Sequence, residues 1–417
     1  LYGLWRKRGS AEYTRAALCL IQTGHWERAQ DVLHEGSRQA LAGMAAQVSR
    51  GEQALWVDQW INCCKQLNQW DVVLEYGKST EHMELQVDCL WRLSDWNGLR
   101  EQLTSPGKVM MDDSPALLMT RSYLCLSEGN VQDADQRTNN AMVAALQRWW
   151  QLPELPNSQH VSLLQTFQQL VELKESARII VDLSTQAQQQ QAAGQGGARP
   201  PEHSYTDLRE ILETWRLRTP NEWESLLHWQ DVLVWRNQVY NIVISSFTAL
   251  RDAAPQLHQL GYKDKAWSVN RLGAVALKHG APDAALNILN TMYGYNAMEV
   301  QEAFVKIKEQ AEAHLDRPAD LPVGLNIINT TNLDYFQATH QAEIYRLKGL
   351  MLQAMNEDEA ANTCFSTAVT LWRQCSDAWV AWGQYCDKQA ENHTQQHYAQ
   401  QQAAQQAAGA PGGQPPP

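Results

Sequence analysis

The sequence predicts an all-α fold, an α-solenoid built from irregular helical hairpins. Apolar residues recur at spacings of three and four along most of the 417 residues, which is the period of a helix that buries one face. No stretch alternates apolar and polar residues as a half-buried strand would. Turns divide the pattern into helix pairs of roughly 35–45 residues, as in tetratricopeptide and HEAT-like arrays, although the spacing is too uneven for a regular tetratricopeptide array.

The clearest predicted hairpin covers residues 54–77. Its first helix carries one apolar stripe at positions i, i+4, i+7 and i+11, formed by Trp56, Trp60, Cys63 and Leu67. Asn68 is predicted to cap the second helix, with Asp71 three residues later in the place of a capping-box acid. Gly77 is predicted to follow the end of that helix, because glycine readily adopts the left-handed conformation found there.

Tryptophans follow three of the predicted turns, as Trp26, Trp70 and Trp96, and a second tryptophan cluster is predicted over residues 223–235. The chain has 17 tryptophans and only five phenylalanines, so we predict that indole side chains fill the spaces between helix pairs. The residues predicted to form the structural core of the repeats are Trp26, Trp56, Trp60, Trp70, Trp96, Trp215, Trp229, Trp235, Tyr345, Phe365, Trp379 and Trp382.

Composition divides the chain into four segments. Residues 1–185 form the first part of the predicted solenoid and residues 205–390 the second. Residues 186–204, rich in Gln, Gly and Pro, can bury too little apolar surface to offset the entropy of ordering. They are predicted to be a disordered loop that interrupts the solenoid without ending it. Residues 391–417, rich in Gln and Pro, are predicted to be a disordered tail.

The charge balance argues against direct binding of nucleic acid. The net charge is −12, and the only tight basic cluster, residues 6–8, is short enough to be a solvated helix surface. The sequence shows no signal peptide and no apolar run long enough to span a membrane. Because the chain starts at Leu1 rather than Met, we expect it to be part of a longer protein.

We find no motif that indicates catalysis. The sequence has no nucleophile elbow, phosphate-binding loop or H-E-x-x-H metal site. Its eight cysteines form no C-x-x-C pair and are predicted to be reduced, buried thiols of an intracellular protein. Adjacent helical positions prevent Cys63 and Cys64 from facing one metal ion. We therefore predict a protein that is not an enzyme and has no metal or cofactor. A tryptophan cage for a ligand is a weaker alternative to packing.

Several blocks of residues together resemble the FAT domain of the TRRAP family. The resemblance extends over about residues 1–387, with gaps, and the glutamine-rich loop and the tail depart from the family pattern. The blocks include Leu55-Trp56, Leu67-Asn68-Gln69-Trp70, Glu75-Tyr76-Gly77, Thr214-Trp215-Arg216, His228-Trp229, Trp235-Arg236, Thr331-Asn332-Leu333-Asp334-Tyr335-Phe336 and Ala378-Trp379.

The resemblance implies a helical solenoid that wraps a C-terminal kinase-like domain, which in TRRAP-type proteins is a pseudokinase. It also implies a non-catalytic scaffold in the nucleus that assembles histone acetyltransferase complexes and docks transcription activators. The implied partners are acetyltransferase-complex subunits, activators and the protein's own kinase-like domain, with no direct nucleic acid and no membrane.

Two other interpretations stay open. The same solenoid could be the regulatory FAT region of an active phosphatidylinositol-kinase-related protein kinase of the TOR type. A catalytic-loop Asp and Asn, with an intact Asp-Phe-Gly, after Pro417 would favour that enzyme. The third interpretation is a free-standing tetratricopeptide-like adaptor, which a start codon close before Leu1 would favour.

Overall fold

The computed structural model describes residues 11–41, 48–104, 114–192, 206–247 and 255–408. Within these ranges the chain contains α-helices, short 3-10 turns and no β-strand, so the predicted all-α fold is confirmed. The α-helices are α1 Glu12–Gln22, α2 Trp26–Leu41, α3 Arg50–Gln66, α4 Trp70–Ser79, α5 Met83–Arg92, α6 Trp96–Thr104, α7 Pro115–Ser127, α8 Val131–Trp150, α9 Ser158–Ala192, α10 Thr206–Leu217, α11 Leu226–Phe247, α12 Pro255–Lys278, α13 Pro282–Asn290, α14 Val300–Leu315, α15 Leu321–Thr330, α16 Ala338–Ala354, α17 Asp358–Leu371 and α18 Ser376–Ala408.

Seven turns between consecutive helices share one geometry. In each turn one residue has a left-handed backbone, and the next helix begins two residues later. The residue between them donates its N–H to the carbonyl five positions back, as Gln69 does to Cys64 at 2.9 Å. Each turn is therefore a Schellman motif whose last residue also precedes the next helix. The left-handed residues are Gly24, Asn68, Glu81, Ser94, Gly129, Gly280 and Asn356. Gly24, Asn68 and Ser94 lie at the turns predicted before Trp26, Trp70 and Trp96.

The roles predicted for Asn68 and Gly77 are wrong. Asn68 has a φ of 59° and ends the preceding helix, whereas Gln69 is the residue before α4 and makes no side-chain cap. Gly77 lies inside α4 and is buried. A Cβ at Gly77 would lie 3.3 Å from Cγ of Gln86, whose side-chain amide donates to the Gly77 carbonyl at 2.8 Å. Glycine at this position allows α5 to approach α4 closely.

Leu1–Glu299 form one compact unit. Its largest core contains helices from both sides of the predicted loop, because Leu85, Leu170 and Trp215 are buried in the same cluster. The chain segments before and after residues 186–204 therefore pack together. The end of the unit at residue 299 was not predicted from composition.

Val300–Pro417 form the second compact unit, which contains α14 to α18. Helices α16 and α17 approach each other closely, because a Cβ at Gly349 would lie 2.7 Å from Cε1 of the buried Phe365 ring. The Tyr385 hydroxyl on α18 donates to the Asp358 carbonyl at the start of α17 at 2.9 Å. Three consecutive helices are thereby joined in one hairpin stack.

Two helices continue into segments that were predicted to be disordered. α9 continues through Ala192, seven residues into the predicted loop, and α18 continues through Ala408, well into the predicted tail. Both extensions consist largely of Gln and Ala, which favour helix without needing to bury a side chain, and composition alone does not reveal this. Residues 193–204 and 409–417 lie outside the described residues.

Candidate functional site

A buried arginine joins three helices of the first unit. Arg92 ends α5, and its guanidinium carbon lies 4.4 Å from the Trp70 ring centre and 4.5 Å from the Trp91 ring centre. Its Nε and Nη2 donate to the two carboxylate oxygens of Asp231 on α11 at 2.6 and 3.0 Å. Its Nη1 pairs with Asp88 one turn earlier on α5. The paired charges connect segments 139 residues apart.

The carboxylate of Asp88 pairs with both Lys65 and Arg92. Lys65 on α3 donates to Asp88 at 2.7 Å. Burial alone would raise the pKa of Asp88, but the cations of Arg92 and Lys65 outweigh it and hold that pKa below its usual value. For Asp231, burial raises the pKa and Arg92 opposes the rise. The cluster is an ion-paired junction of α3, α5 and α11.

A second ion pair lies deeper in the same unit. Arg236 on α11 is 0% exposed and donates to both carboxylate oxygens of Glu172 on α9, at 2.9 and 2.6 Å. Its remaining donors reach the carbonyls of Trp215 at 2.6 Å and Arg218 at 3.0 Å. Because the guanidinium and the carboxylate are both hydrogen-bonded, the pair can be buried without an uncompensated charge.

Five buried tryptophans have hydrogen-bonded indole N–H groups. An unpaired indole N–H would be costly in a core, and these N–H groups donate to protein oxygens at 2.7 to 3.2 Å. The pairs are Trp56 with Thr14, Trp70 with Gln230, Trp215 with Glu175, Trp229 with Asn221 and Trp235 with Ser176.

The predicted core residues divide into three groups by exposure. Six are buried: Trp56, Trp70, Trp215, Trp229, Trp235 and Phe365. Five are half-buried: Trp26, Trp60, Trp96, Tyr345 and Trp382. The prediction is wrong for Trp379, which is 50% exposed and stacks on Trp382 with ring centres 5.8 Å apart. Ala378, Ala381 and Tyr385 occupy the buried face of α18 instead.

One member of the second predicted tryptophan cluster is exposed. Trp229 and Trp235 lie on α11 and are buried, whereas Trp223 precedes that helix and is 80% exposed. A helical stripe predicts burial only for residues that belong to the helix.

Burial keeps three cysteine thiols of the first unit protonated. Burial raises the pKa of the Cys63 thiol to about 12, that of Cys64 to about 11 and that of Cys89 to about 12, so these thiols stay protonated. No group of three side chains suited to holding a metal ion occurs in the ranges that the structure describes. Within the same ranges, no helix is long and apolar enough to cross a membrane. The buried ion pairs hold helices together.

Large apolar side chains are exposed where α8 ends and α9 begins. We call this set the α8–α9 surface, and it consists of Val143, Leu146, Trp150, Leu155, Val161 and Leu164. Trp150 is 84% exposed and Leu155 81%. Single exposed apolar residues are ordinary in proteins, whereas six on one hairpin are unusual.

Contacts across the hairpin bring the two sides of this surface together. Trp149 packs edge-on against His160 and Phe167, with ring centres 5.2 and 6.2 Å away. Leu146 lies three residues before Trp149 and Leu164 three before Phe167, so each is a helical neighbour of this contact. Leu146 and Leu164 therefore lie next to the contact between the two helices.

The α8–α9 surface was not predicted from the sequence. The available signal was the pair Trp149-Trp150. Adjacent helical residues point about 100° apart, so burial of both indoles would require packing over a wide arc of the helix.

Stacked helical hairpins joined by buried ion pairs define the class of the chain as a helical-repeat protein. The FAT domain family matches residues 83–410, and the chain belongs to this family.

Three relatives share nearly the whole chain. The chain is 35% identical over 405 residues to the SAGA complex/NuA4 acetyltransferase complex subunit Tra1 of Schizosaccharomyces pombe, covering 93% of the chain and 11% of the relative. It is 32% identical over 403 residues to the subunit of the same name from Saccharomyces cerevisiae, covering 93% and 10%. It is 30% identical over 414 residues to the human transformation/transcription domain-associated protein, covering 92% and 10%. The chain thus spans about a tenth of these relatives' length.

Proposed function

We propose that this chain is a non-catalytic scaffold segment of a transcription co-activator, which holds subunits of a nuclear histone acetyltransferase complex together. Two relatives are named as subunits of the SAGA and NuA4 acetyltransferase complexes, and a third as a transcription-domain-associated protein. The observation that carries the proposal is the α8–α9 surface, because six large apolar side chains on one hairpin are left without cover.

The buried ion pairs support this role by making the hairpin rigid. Glu172 on α9 is fixed to Arg236 on α11, and α11 is fixed in turn to Arg92 on α5. A surface that does not have to order itself loses less conformational entropy on binding. The occupant that we propose is an apolar face of another subunit of the complex.

Activators and the protein's own kinase-like domain are further proposed partners. The net charge of −12 repels acidic activation segments at long range, so their binding would depend on apolar contacts.

The test alters the two most exposed members of the surface in the full-length protein. Trp150→Ser combined with Leu155→Ser should leave the melting temperature unchanged, because both side chains are already in solvent. The variant should lose at least one acetyltransferase-complex subunit on purification through an affinity tag. Tyr335→Ser, at a position 75% exposed in the other unit, is the matched control and should retain every subunit. Full retention by the double variant would contradict the proposal.

A further inference from the structure

The second half of α18 is a helix without a packed face. Tyr385 is the last buried residue of this helix, and residues 386–400 are exposed except for the half-buried Gln389. The helix nevertheless continues through Ala408. Helices in proteins gain most of their stability from the packing of an apolar face. Residues 386–400 of α18 do not have this source of stability.

Charged side chains do not compensate for the missing packing. Asp387 and Glu391 are four residues apart on α18 and carry like charges, which destabilises a helix. Lys388 precedes Glu391, which is the less favourable order for an ion pair along a helix. From Asn392 to Ala408 the sequence contains no Asp, Glu, Lys or Arg. This half of α18 therefore depends chiefly on the helix propensity of Gln and Ala.

Two histidines lie one turn apart in this half of the helix. His393 and His397 are four residues apart, so they share one face, with Cβ atoms about 5–6 Å from each other. Both are exposed, and neither has a hydrogen-bond or ion-pair partner among the described residues. Two histidines at this helical spacing can bind one zinc ion, as they do in the H-E-x-x-H motif of metalloproteases.

The described part of the chain offers this pair no third ligand. Cys386 is seven residues before His393, which is about 10 Å along the helix axis. Glu391 is two residues before His393, so it points about 200° away around the helix. A metal ion at this position therefore has two protein ligands.

We propose that His393 and His397 bind one Zn²⁺ ion through one imidazole nitrogen each, and that the ion keeps the exposed half of α18 helical. Only the helical chain holds both imidazoles on one side, so the ion binds the helical form and shifts the equilibrium toward it. Water completes the tetrahedral coordination. This site departs from the prediction that the chain has no metal. It also goes beyond the proposed scaffold function, because it requires no other subunit.

The first experiment titrates the full-length protein with zinc chloride alone and follows hydrogen exchange in peptides from residues 387–408. The calorimetric heat that a His393→Gln, His397→Gln double variant lacks gives the Kd. With free zinc at about ten times this Kd, exchange in the segment should slow about tenfold, because the open form is reduced by that factor. Peptides from α16 should exchange at an unchanged rate. Exchange in residues 387–408 that does not respond to zinc would overturn the proposal.

The second experiment separates a two-histidine site from binding to single histidines. Gln395→His combined with His397→Gln keeps two histidines but places them two residues apart, where they do not face each other. This relocated pair and the double variant should both lose the zinc response. Without zinc, both should exchange like the wild type, because every altered position is exposed. An equal zinc response in the relocated pair would show binding to single histidines and would contradict the proposed site.

Discussion

At the scale of single residues, the buried pair of Arg236 and Glu172 contributes to the free energy of unfolding. Arg236→Met should lower the free energy of unfolding by about 3–5 kcal/mol, because it leaves the Glu172 carboxylate buried without its cation. Adding Glu172→Met should recover most of this loss, since two apolar side chains of similar size replace the pair. Recovery should be incomplete, because the carbonyls of Trp215 and Arg218 each lose a donor.

Urea unfolding of the single and double variants measures this pair directly. Wild-type stability of the Arg236→Met variant would mean that water reaches Glu172 and that the pair is not sealed in the core.

Trp60 and Trp70 lie in one predicted hairpin but differ in burial. Trp70→Ala should cost about 3–5 kcal/mol, because its ring is buried and its N–H is paired with Gln230. Trp60→Ala should cost less, because Trp60 is half-buried. Hydrogen exchange should show faster opening of α3 to α5 in the Trp70 variant. Equal effects of the two substitutions would contradict this account of the packing.

At the scale of elements, the shared turn geometry places Glu81 in a strained backbone conformation. Glu81 has a φ of 54°, a backbone conformation that costs a residue with a Cβ about 1 kcal/mol or more relative to glycine. Glu81→Gly should therefore stabilise the first unit by up to about 1 kcal/mol. The control Glu84→Gly, in the first turn of α5, should destabilise it by about 0.5–1 kcal/mol. Thermal unfolding of both variants checks the prediction, and destabilisation by Glu81→Gly would refute it.

Helices and the turns between them could be predicted from the sequence. The turns predicted before Trp26, Trp70 and Trp96 are present, with Gly24, Asn68 and Ser94 in the left-handed conformation. Low sequence complexity predicted disorder less well than turn residues predicted turns. The glutamine-rich ends of α9 and α18 are helical, because helix propensity needs no apolar partner.

At the scale of the whole molecule, the site depends on contacts that local patterns do not encode. Arg92 and Asp231 are 139 residues apart, and Trp70 and Gln230 are 160 apart. Periodicity assigns each of these residues to a helix face but does not say which faces meet. The exposure of Trp150 and Trp223 was missed for a different reason: a tryptophan is usually buried, and here two are not.

The measurement that tests the central claim most directly is purification of the full-length protein from nuclear extract, followed by parallel assays of its associated acetyltransferase and kinase activities. The scaffold account predicts that acetyltransferase subunits and activity co-purify, and that the purified protein has no ATP-dependent phosphorylation activity of its own. Robust phosphorylation by the protein itself, with no acetyltransferase present, would contradict the account and favour the regulatory region of an active kinase.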